Sequence, residues 1–495
     1  MEEERNQSPR QAAPQEPPVH HRRRKRSKRQ IFKETYLPMI IAGLTAVFLL
    51  VVIIGSISRA VSVRKSEKEQ IQAESQAQVE KHEKEAQLAN DLIRQADTLA
   101  ASYNYEAAVE LIDSFTGDTA DFPELRTKRA AYTKAQSELV AWDDPAEIPQ
   151  LSFQLLIADP PRAFADEDYG SKYNRNYVTT DEFSKILQQL YDNGYMLVSL
   201  RDVVKTETGE NGEVTYAPGT LYLPPDKKPL ILSQCAVNYF TYMTDGDGDG
   251  FPDKDGDGFA YRLYQDENGR FVNDMIDAQG NTVTGAFDVV PILEDFIAAH
   301  PDFSYRNARA ILAVTGYDGV FGYRTDYATK DACAEGTKEG YTTDYYNNQV
   351  VAAKTLVQAL KDTGYELACY TYNLFGYGTE SAESIKKDLD KWNLEVTPIL
   401  GDVGILIYPF GQDIAEYHAD AYSGERYDVL RNAGFRYFIG QDNFKPAWAE
   451  VNSDYFRMTR RLVSGAFMAY SPDVFTDLFD PETVLSASRG TVPEA

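Results

Sequence analysis

The stretch Pro229-Leu-Ile-Leu-Ser-Gln-Cys-Ala-Val-Asn-Tyr-Phe240 decides the fold of this 495-residue chain. Its apolar residues 230–232 follow a polar segment rich in proline and lysine, and this pattern predicts a short buried strand. Polar residues begin again at Ser233, where we expect the strand to open into a loop. Because the functional groups of α/β proteins gather at the carboxyl ends of parallel strands, residues 233–236 are the first candidate site.

Helical and strand patterns alternate on both sides of this stretch. Upstream, residues 151–157 predict a strand, residues 179–193 an amphipathic helix with Thr180 as its N-cap, and residues 195–199 a further strand. Such alternation is typical of a parallel (β/α) barrel, which we expect over residues 149–487. Downstream, the predicted helices cover 289–300, 348–363 and 382–392, and the predicted strands cover 310–314, 364–368 and 404–408.

Several segments of this region resemble, in the same order, the polysaccharide deacetylases of the NodB-homology family, which are carbohydrate esterase family 4-like. The resemblance rests on the helix, Gly-Tyr and strand of residues 180–200, on the surroundings of Gln234, and on Leu406-Ile-Tyr-Pro-Phe-Gly-Gln-Asp-Ile414. It covers roughly residues 150–485 and implies an irregular (β/α) barrel. It also implies hydrolysis of N-acetyl groups on a polysaccharide by a divalent metal and a carboxylate base.

The residues that would carry this chemistry are replaced. The family has Phe-Asp-Asp where this chain has Gln-Cys-Ala, so the base position is Cys235 and a metal-ligand position is Ala236. The two histidine ligands of the family motif His-Ser/Thr-x-x-His correspond to Tyr370 and Leu374. We therefore expect no transition metal at these degenerate positions and predict a catalytically inactive member of the family, a pseudoenzyme.

The distribution of histidines supports the same prediction without an alignment. Of the five histidines, only His300 and His418 fall in the predicted barrel, and they are not at the spacing of a metal-binding pair. The family's final Leu-x-x-x-His motif has no counterpart in residues 460–467. Two alternatives stay open. One is active hydrolysis of N-acetyl groups through a non-standard site, and the other is a protein-binding scaffold of the cell envelope.

The chain has three cysteines, Cys235, Cys333 and Cys369, too few for a disulfide framework. A lone cysteine is most often a small buried apolar side chain. The resemblance, however, would bring Cys235 and Cys369 to one pocket, where a disulfide or a soft-metal site stays open.

Aromatic residues cluster near the ends of the predicted strands. The resemblance implies that they line a substrate groove, and aromatic rings pack well on sugar rings. We therefore expect the barrel to bind a cell-envelope polysaccharide or peptidoglycan. The predicted groove residues are Tyr239, Tyr370, Tyr372, Tyr408, Pro409 and Phe410, with Phe240 beside them.

A further motif lies in an Asp-rich insertion at residues 244–259, shortly after the first candidate site. Alternate carboxylates around Gly250 resemble the calcium loops of thrombospondin type-3 repeats, and hard oxygen ligands of this kind suit Ca²⁺. The loop differs from an EF-hand, because its twelfth position is Gly256 rather than glutamate. An acidic hairpin tip without a metal is the alternative. The predicted calcium ligands are Asp245, Asp247, Asp249 and Asp253.

The N-terminal part of the chain predicts a membrane anchor. Residues 1–34 form a basic tail that we expect to be disordered and cytoplasmic, and residues 35–58 contain no charged side chain. As a helix rising about 1.5 Å per residue, this apolar stretch is long enough to cross a hydrocarbon core of about 30 Å. More Lys and Arg residues precede it than follow it, so the positive-inside rule predicts a single-pass protein of the cell membrane whose C-terminal domain is extracytoplasmic.

Between the anchor and the barrel, the sequence predicts two helical segments. Residues 59–88 are typical of a solvated stalk. Residues 89–144 resemble one tetratricopeptide unit with a turn at residues 103–104 and a third helix over 123–142, and this spacer is also a candidate surface for a protein partner. The 460 residues after residue 35 carry 40 basic and 71 acidic side chains. Such an acidic surface repels phosphates, so we expect no nucleic-acid partner.

Overall fold

Seven parallel strands close into a barrel in this computed structural model, which describes residues 28–416 and 422–494. Strands β3 to β7 pair in sequence order, β7 pairs with β1, and β2 pairs with both β1 and β3. The pairing of β2 with β3 closes the ring and confirms the predicted (β/α) barrel. In chain order the strands are β1 (Gln150–Phe153), β2 (Lys228–Gln234), β3 (Ile311–Val314), β4 (Glu366–Cys369), β5 (Ile405–Ile407), β6 (Tyr437–Gln441) and β7 (Phe456–Leu462).

Strand β2 pairs with three other strands. Its Ser233 lies opposite Ser152 of β1 and opposite Ile311 of β3. A further short strand, Tyr195–Leu197, pairs with the first residues of β2. After its first residue the whole of β2 is buried. A parallel strand covered on both faces needs a continuous apolar run, which is why residues 230–232 identify it in the sequence.

Helices alternate with the barrel strands, as the sequence predicts. Their apolar faces pack into the main hydrophobic core, to which Phe183, Leu293 and Leu356 contribute. Such packing stabilises amphipathic helices more than local propensity does. The longer helices are Thr180–Asp192, Val289–Ala299, Tyr327–Glu335, Thr343–Thr363, Ala382–Glu395 and Glu425–Asn432, and the shorter ones are Pro160–Ala165, Gly170–Asn176, Leu200–Val203, Thr397–Leu400, Gly465–Tyr470 and Pro481–Val484.

The cap of the helix Thr180–Asp192 lies one residue earlier than predicted. The N-cap is Thr179 rather than Thr180, because Thr179 forms a reciprocal pair with Glu182. The Thr179 hydroxyl accepts a hydrogen bond from the Glu182 amide at 3.2 Å, and the Glu182 carboxylate accepts one from the Thr179 amide at 2.8 Å. Glu182 also forms a fully buried ion pair with Arg489 at 2.5 Å. The start of this helix is therefore tied to the C-terminal segment.

A long connection leads from β2 to the helix Val289–Ala299. It begins with residues 235–243, passes through the Asp-rich loop and continues into a three-stranded antiparallel sheet. The predicted insertion at 244–259 covers only part of this connection. The strands of the sheet are Arg262–Gln265, Phe271–Ile276 and Thr282–Gly285. Smaller pairings join Val140–Trp142 to Leu221–Leu223, Leu156–Ile157 to Val178–Thr179, Val204–Thr208 to Val214–Pro218, and Ala449–Val451 to β7.

The chain divides into two compact units, residues 1–87 and 88–495. In the first unit, Lys28–Ile31 and Phe32–Tyr36 are helical and lead into the helix Leu37–Ala101. An 18-residue window of this helical region has a mean hydropathy of 2.9, so the helix is long and apolar enough to cross a membrane. Most of the predicted tail at 1–34, together with His418 of the barrel, lies outside the described residues.

The second unit begins with a helical spacer. Ala96 and Ala108 are fully buried in its small core, where side chains of this size let helices approach closely. Its last helix ends before the predicted residue 142, because Val140–Trp142 pairs as a strand with Leu221–Leu223. The helices of the spacer are the end of Leu37–Ala101, Tyr105–Asp113 and Pro123–Ser137.

The carboxylate of Asp288 joins three parts of the barrel region. Asp288 is buried directly before the helix Val289–Ala299. It accepts hydrogen bonds from Gln234 Nε2 at 2.7 Å, from the Tyr239 hydroxyl at 2.7 Å and from the Leu156 amide at 3.0 Å. Burial raises the pKa of this carboxyl group, and the donors oppose the rise. Because all three partners donate, removal of the carboxylate leaves three buried donors without this acceptor.

Asp288→Ala should therefore lower the free energy of unfolding by about 3 kcal/mol or more, since a buried donor without an acceptor costs about 1–3 kcal/mol. Asp295→Ala is the matched control, because it removes an exposed carboxylate that lies 3.3 Å from Arg270, and it should cost less than about 1 kcal/mol. Urea unfolding of the full chain in detergent, monitored by tryptophan fluorescence, measures the free energy of unfolding of both variants. All three tryptophans lie within residues 88–495, so the signal reports on the unit that contains Asp288. Equal losses in the two variants would contradict the role given to Asp288.

Candidate functional site

The carboxyl ends of β2 and β4 open into one cavity. Cys235 and Ala236 directly follow β2, and Tyr370 and Leu374 lie in the loop after β4. All four line a cavity of about 230 Å³, the strand-end pocket. The structure therefore brings together the four degenerate motif positions that the sequence analysis singles out. The other lining residues are Gln154, Leu155, Tyr177, Phe240, Tyr242, Phe410, Gln441, Arg460 and Leu462.

These four side chains supply little that binds a metal or activates water. The side chains of Ala236 and Leu374 have no ligand atom. Burial raises the pKa of Tyr370 to about 12 and also raises the pKa of Cys235, so both groups are protonated near pH 7. The Cys235 sulfur lies 3.4 Å from the Ser152 hydroxyl, which is not a base. Because the thiolate is the nucleophilic form of cysteine, burial disfavours the reactive form of Cys235.

All three cysteines are buried free thiols. The disulfide between Cys235 and Cys369 that the sequence leaves open is not formed. Burial also raises the pKa of Cys369 well above its ordinary value. Both cysteines thus have the environment of small buried apolar side chains.

Three of the aromatic residues expected in the groove, Phe240, Tyr370 and Phe410, line the strand-end pocket, but others do not. The Tyr239 hydroxyl donates to Asp288 in the interior, and the Tyr372 hydroxyl donates to Glu395 at 2.7 Å. Adjacent residues of an extended segment point to opposite sides, so their sequence positions do not show which of them faces the pocket. The predicted groove residues that the structure buries away from the pocket are Tyr239, Tyr372, Tyr408 and Pro409.

The pocket also contains residues that no sequence pattern indicates. Tyr177 and Tyr242 come from segments outside the family-like motifs, and Arg460 comes from within β7. The chain has 33 tyrosines, so aromatic content alone does not select the two that line the pocket. A single arginine in a strand likewise carries no signal in the sequence, since most arginines lie at the surface.

The backbone around the pocket is strained at four points. Ala236, Thr371, Leu374 and Phe410 have φ angles of 56°, 55°, 59° and 58°. Residues other than glycine seldom adopt this left-handed region, and each instance costs on the order of 1–3 kcal/mol. The surrounding packing must offset this cost. Strained residues of this kind are frequent at binding and catalytic sites, and six further non-glycine residues of the described chain also have a positive φ.

The Asp-rich loop brings three carboxylates close together. One oxygen from each of Asp245, Asp247 and Asp253 lies within 4.8 Å of the others. Gly250 has a φ of 99°, which glycine adopts without strain and which lets the loop bend. The fourth predicted ligand, Asp249, is outside this group, and its carboxylate accepts a hydrogen bond from the Phe251 amide at 2.7 Å. Converging carboxylates are the donors that Ca²⁺ prefers, so Asp245, Asp247 and Asp253 fit a calcium site, and Asp249 as a fourth ligand stays a prediction.

The fold and the pocket define a seven-stranded (β/α)-barrel protein with an aromatic pocket at its strand ends. The sequence matches no protein-family model and no curated protein. Among solved structures, the chain is similar to the Streptococcus pyogenes deacetylase PplD in complex with acetate, with 13% sequence identity and a TM-score of 0.33, over 69% of this chain and 100% of that chain.

Proposed function

We propose that the protein is a catalytically inactive, polysaccharide deacetylase-like barrel that binds a glycan of the cell envelope. The observation that carries this proposal is the strand-end pocket, where the four degenerate motif positions meet among aromatic side chains. The family resemblance places an active site at these positions. Their replacement removes the catalytic groups and leaves a cavity in which a sugar can bind.

The described residues favour binding over hydrolysis. Deacetylation of this type requires a metal that polarises the acetyl group and a base that activates water. Among the residues that the structure describes, only Asp245, Asp247 and Asp253 form a group of three His, Cys, Asp or Glu side chains close enough to share a metal ion, and none of them lines the pocket. Cys235, at the base position, stays protonated near pH 7 because burial raises its pKa.

The walls of the pocket suit a sugar ring. Phe410 is 68% exposed and Tyr242 is 44% exposed, so both lining rings are accessible from outside. Aromatic rings pack against the apolar C–H faces of pyranoses, and a few polar groups fix the orientation of the ligand. Here Gln154 and Gln441 can supply such polar groups, because both line the same cavity.

The N-terminal segment supports an extracytoplasmic location. The helix Leu37–Ala101 contains a stretch long and apolar enough to cross a membrane. Eight Lys or Arg residues lie between residues 22 and 33, and four lie between residues 59 and 68. This asymmetry favours a cytoplasmic N-terminus, which would leave the barrel facing cell-envelope polysaccharide or peptidoglycan.

Phe410→Ala should weaken binding of a neutral N-acetylated glycan by about 5- to 10-fold, because an aromatic contact contributes roughly 1 kcal/mol beyond area burial. Isothermal titration of the full chain in detergent with chitooligosaccharides and with soluble peptidoglycan fragments measures this loss.

Phe444→Ala is the control, because Phe444 is 77% exposed and does not line the pocket, and this variant should bind like the wild type. An equal loss in both variants would contradict the assignment of the pocket. A wild-type chain that retains no glycan but co-purifies with a protein would favour the envelope-scaffold alternative.

We further propose that the Asp-rich loop binds Ca²⁺, on the strength of the convergence of Asp245, Asp247 and Asp253. Three like charges in one small loop repel each other, and a divalent cation would offset this repulsion. The Asp253 carboxylate also accepts hydrogen bonds from the amides of Gly246 and Asp247 at 3.1 and 3.0 Å, so it helps to shape the loop.

Asp253→Asn should weaken Ca²⁺ binding by about 10-fold or more, because it removes one of three charged ligands while keeping an oxygen acceptor. Glu267→Gln, which neutralises an exposed carboxylate outside the loop, should leave calcium affinity unchanged. Calorimetric titration of the chelator-treated full chain with CaCl₂ compares the Ca²⁺ affinities of the wild-type chain and the two variants. The proposal fails if wild-type protein takes up no calcium at millimolar concentrations.

A further inference from the structure

Arg460 places a buried positive charge at the strand-end pocket. The residue is 1% exposed and lies in β7, and it lines the pocket together with Cys235 and Tyr370. One terminal nitrogen of its guanidinium, Nη1, donates to the Gly440 carbonyl at 2.9 Å, and the other, Nη2, donates to the Tyr408 carbonyl at 3.1 Å. Its Nε has no hydrogen-bond partner among the described residues, and the same is true of the Nε atoms of Arg457 and Arg461. The two backbone carbonyls therefore fix the guanidinium of Arg460 in place without neutralising its charge.

The neighbouring arginines of the same strand form ion pairs with carboxylates, and within the described residues Arg460 does not. Arg457 contacts Asp413 and Glu450, each at 3.1 Å, and Arg461 contacts Asp477 at 2.7 Å. Within the described part of the chain, no carboxylate oxygen lies within 4.0 Å of a nitrogen of Arg460. Arginine stays protonated in proteins, and a buried charge without a counter-ion is costly. An anion that enters the pocket would reduce this cost.

The pocket's own titratable groups do not supply that anion. The guanidinium of Arg460 favours the ionised forms of Tyr370 and Cys235, but burial outweighs it. The pKa of Tyr370 is raised to about 12 and that of Cys235 is also raised. Both groups are therefore neutral near pH 7, and the Tyr370 hydroxyl is a hydrogen-bond donor beside an uncompensated positive charge.

We propose that the strand-end pocket recognises a sugar that carries a carboxylate, with Arg460 in the pocket wall as the counter-charge. This inference rests on the proposed glycan-binding function and narrows it to acidic sugars. The Tyr370 hydroxyl donates a hydrogen bond to the carboxylate, and the exposed ring of Phe410 packs against the pyranose. A singly charged group matches the single guanidinium, whereas a dianion would leave an excess negative charge in a pocket of about 230 Å³.

The charge of the whole domain limits which acidic ligands can approach. Residues after 35 carry 71 acidic and 40 basic side chains, so a long polyanion is repelled at low salt. This long-range repulsion is screened over about 8 Å at physiological ionic strength, while the buried contact with Arg460 is screened much less. Single acidic sugars are therefore the sharpest probes of the site.

The test compares D-glucuronate with D-glucose, which differ only in a carboxylate or a hydroxymethyl group at C6. Ligand-observed NMR titrations use the full chain in detergent at about 0.15 M salt. The wild-type chain should bind glucuronate about 10-fold or more tightly than glucose, since Arg460 meets a charge in only one of them. This comparison needs no variant, so it tests the proposal even if substitutions at Arg460 fail to fold.

Arg460→Met should remove the preference for glucuronate over glucose, and Arg460→Lys should keep part of this preference because it retains the charge. Arg270→Met is the charge-matched control at an exposed residue outside the pocket, and it should behave like the wild type. Equal binding of glucuronate and glucose by the wild-type chain would overturn this inference and leave the proposed function intact. Failure of the wild-type chain to bind either sugar or the neutral glycans would overturn both.

Discussion

The barrel depends on the closure of its sheet by β2. This strand pairs with β1 on one side and with β3 on the other, and closure removes the free edges that an open parallel sheet would expose. Closure also fixes where the functional positions lie, because the segments that follow β2 and β4 meet at one end of the barrel. The buried carboxylate of Asp288 reinforces this arrangement by holding Gln234, the last residue of β2, next to the helix Val289–Ala299.

The strand-end pocket combines a strained backbone with side chains that cannot perform the expected chemistry. Ala236 and Leu374 hold left-handed conformations at a cost in stability, yet neither offers a ligand atom. What remains is a cavity lined by aromatic and aliphatic groups, with one buried positive charge at Arg460. Among the described residues the pocket is lined by a guanidinium that two backbone carbonyls hold in place, and a guanidinium attracts anions rather than metal cations.

The sequence predicts the barrel well because its strands are buried on both faces and its helices are amphipathic, so both leave strong patterns. It misses the three-stranded sheet between 262 and 285, whose short strands mix polar and apolar residues. The four degenerate positions are found because motif spacing fixes them relative to the strand ends. The sequence analysis expects Tyr239 and Tyr408 to line the groove, but both are buried away from the pocket, since motif spacing does not reveal which side of a loop a ring faces. Arg460 escapes notice because burial of a charge is a property of the fold and leaves no local pattern.

The central claim is that the strand-end pocket holds no catalytic metal, and elemental analysis tests it most directly. The full chain would be purified in detergent, divided, and analysed for calcium, zinc, cobalt, nickel and manganese with and without prior treatment by a calcium chelator. The account predicts calcium in the untreated sample and no stoichiometric transition metal in either. About one transition-metal ion per chain that survives calcium chelation would contradict the account and would indicate a non-standard active site around Cys235.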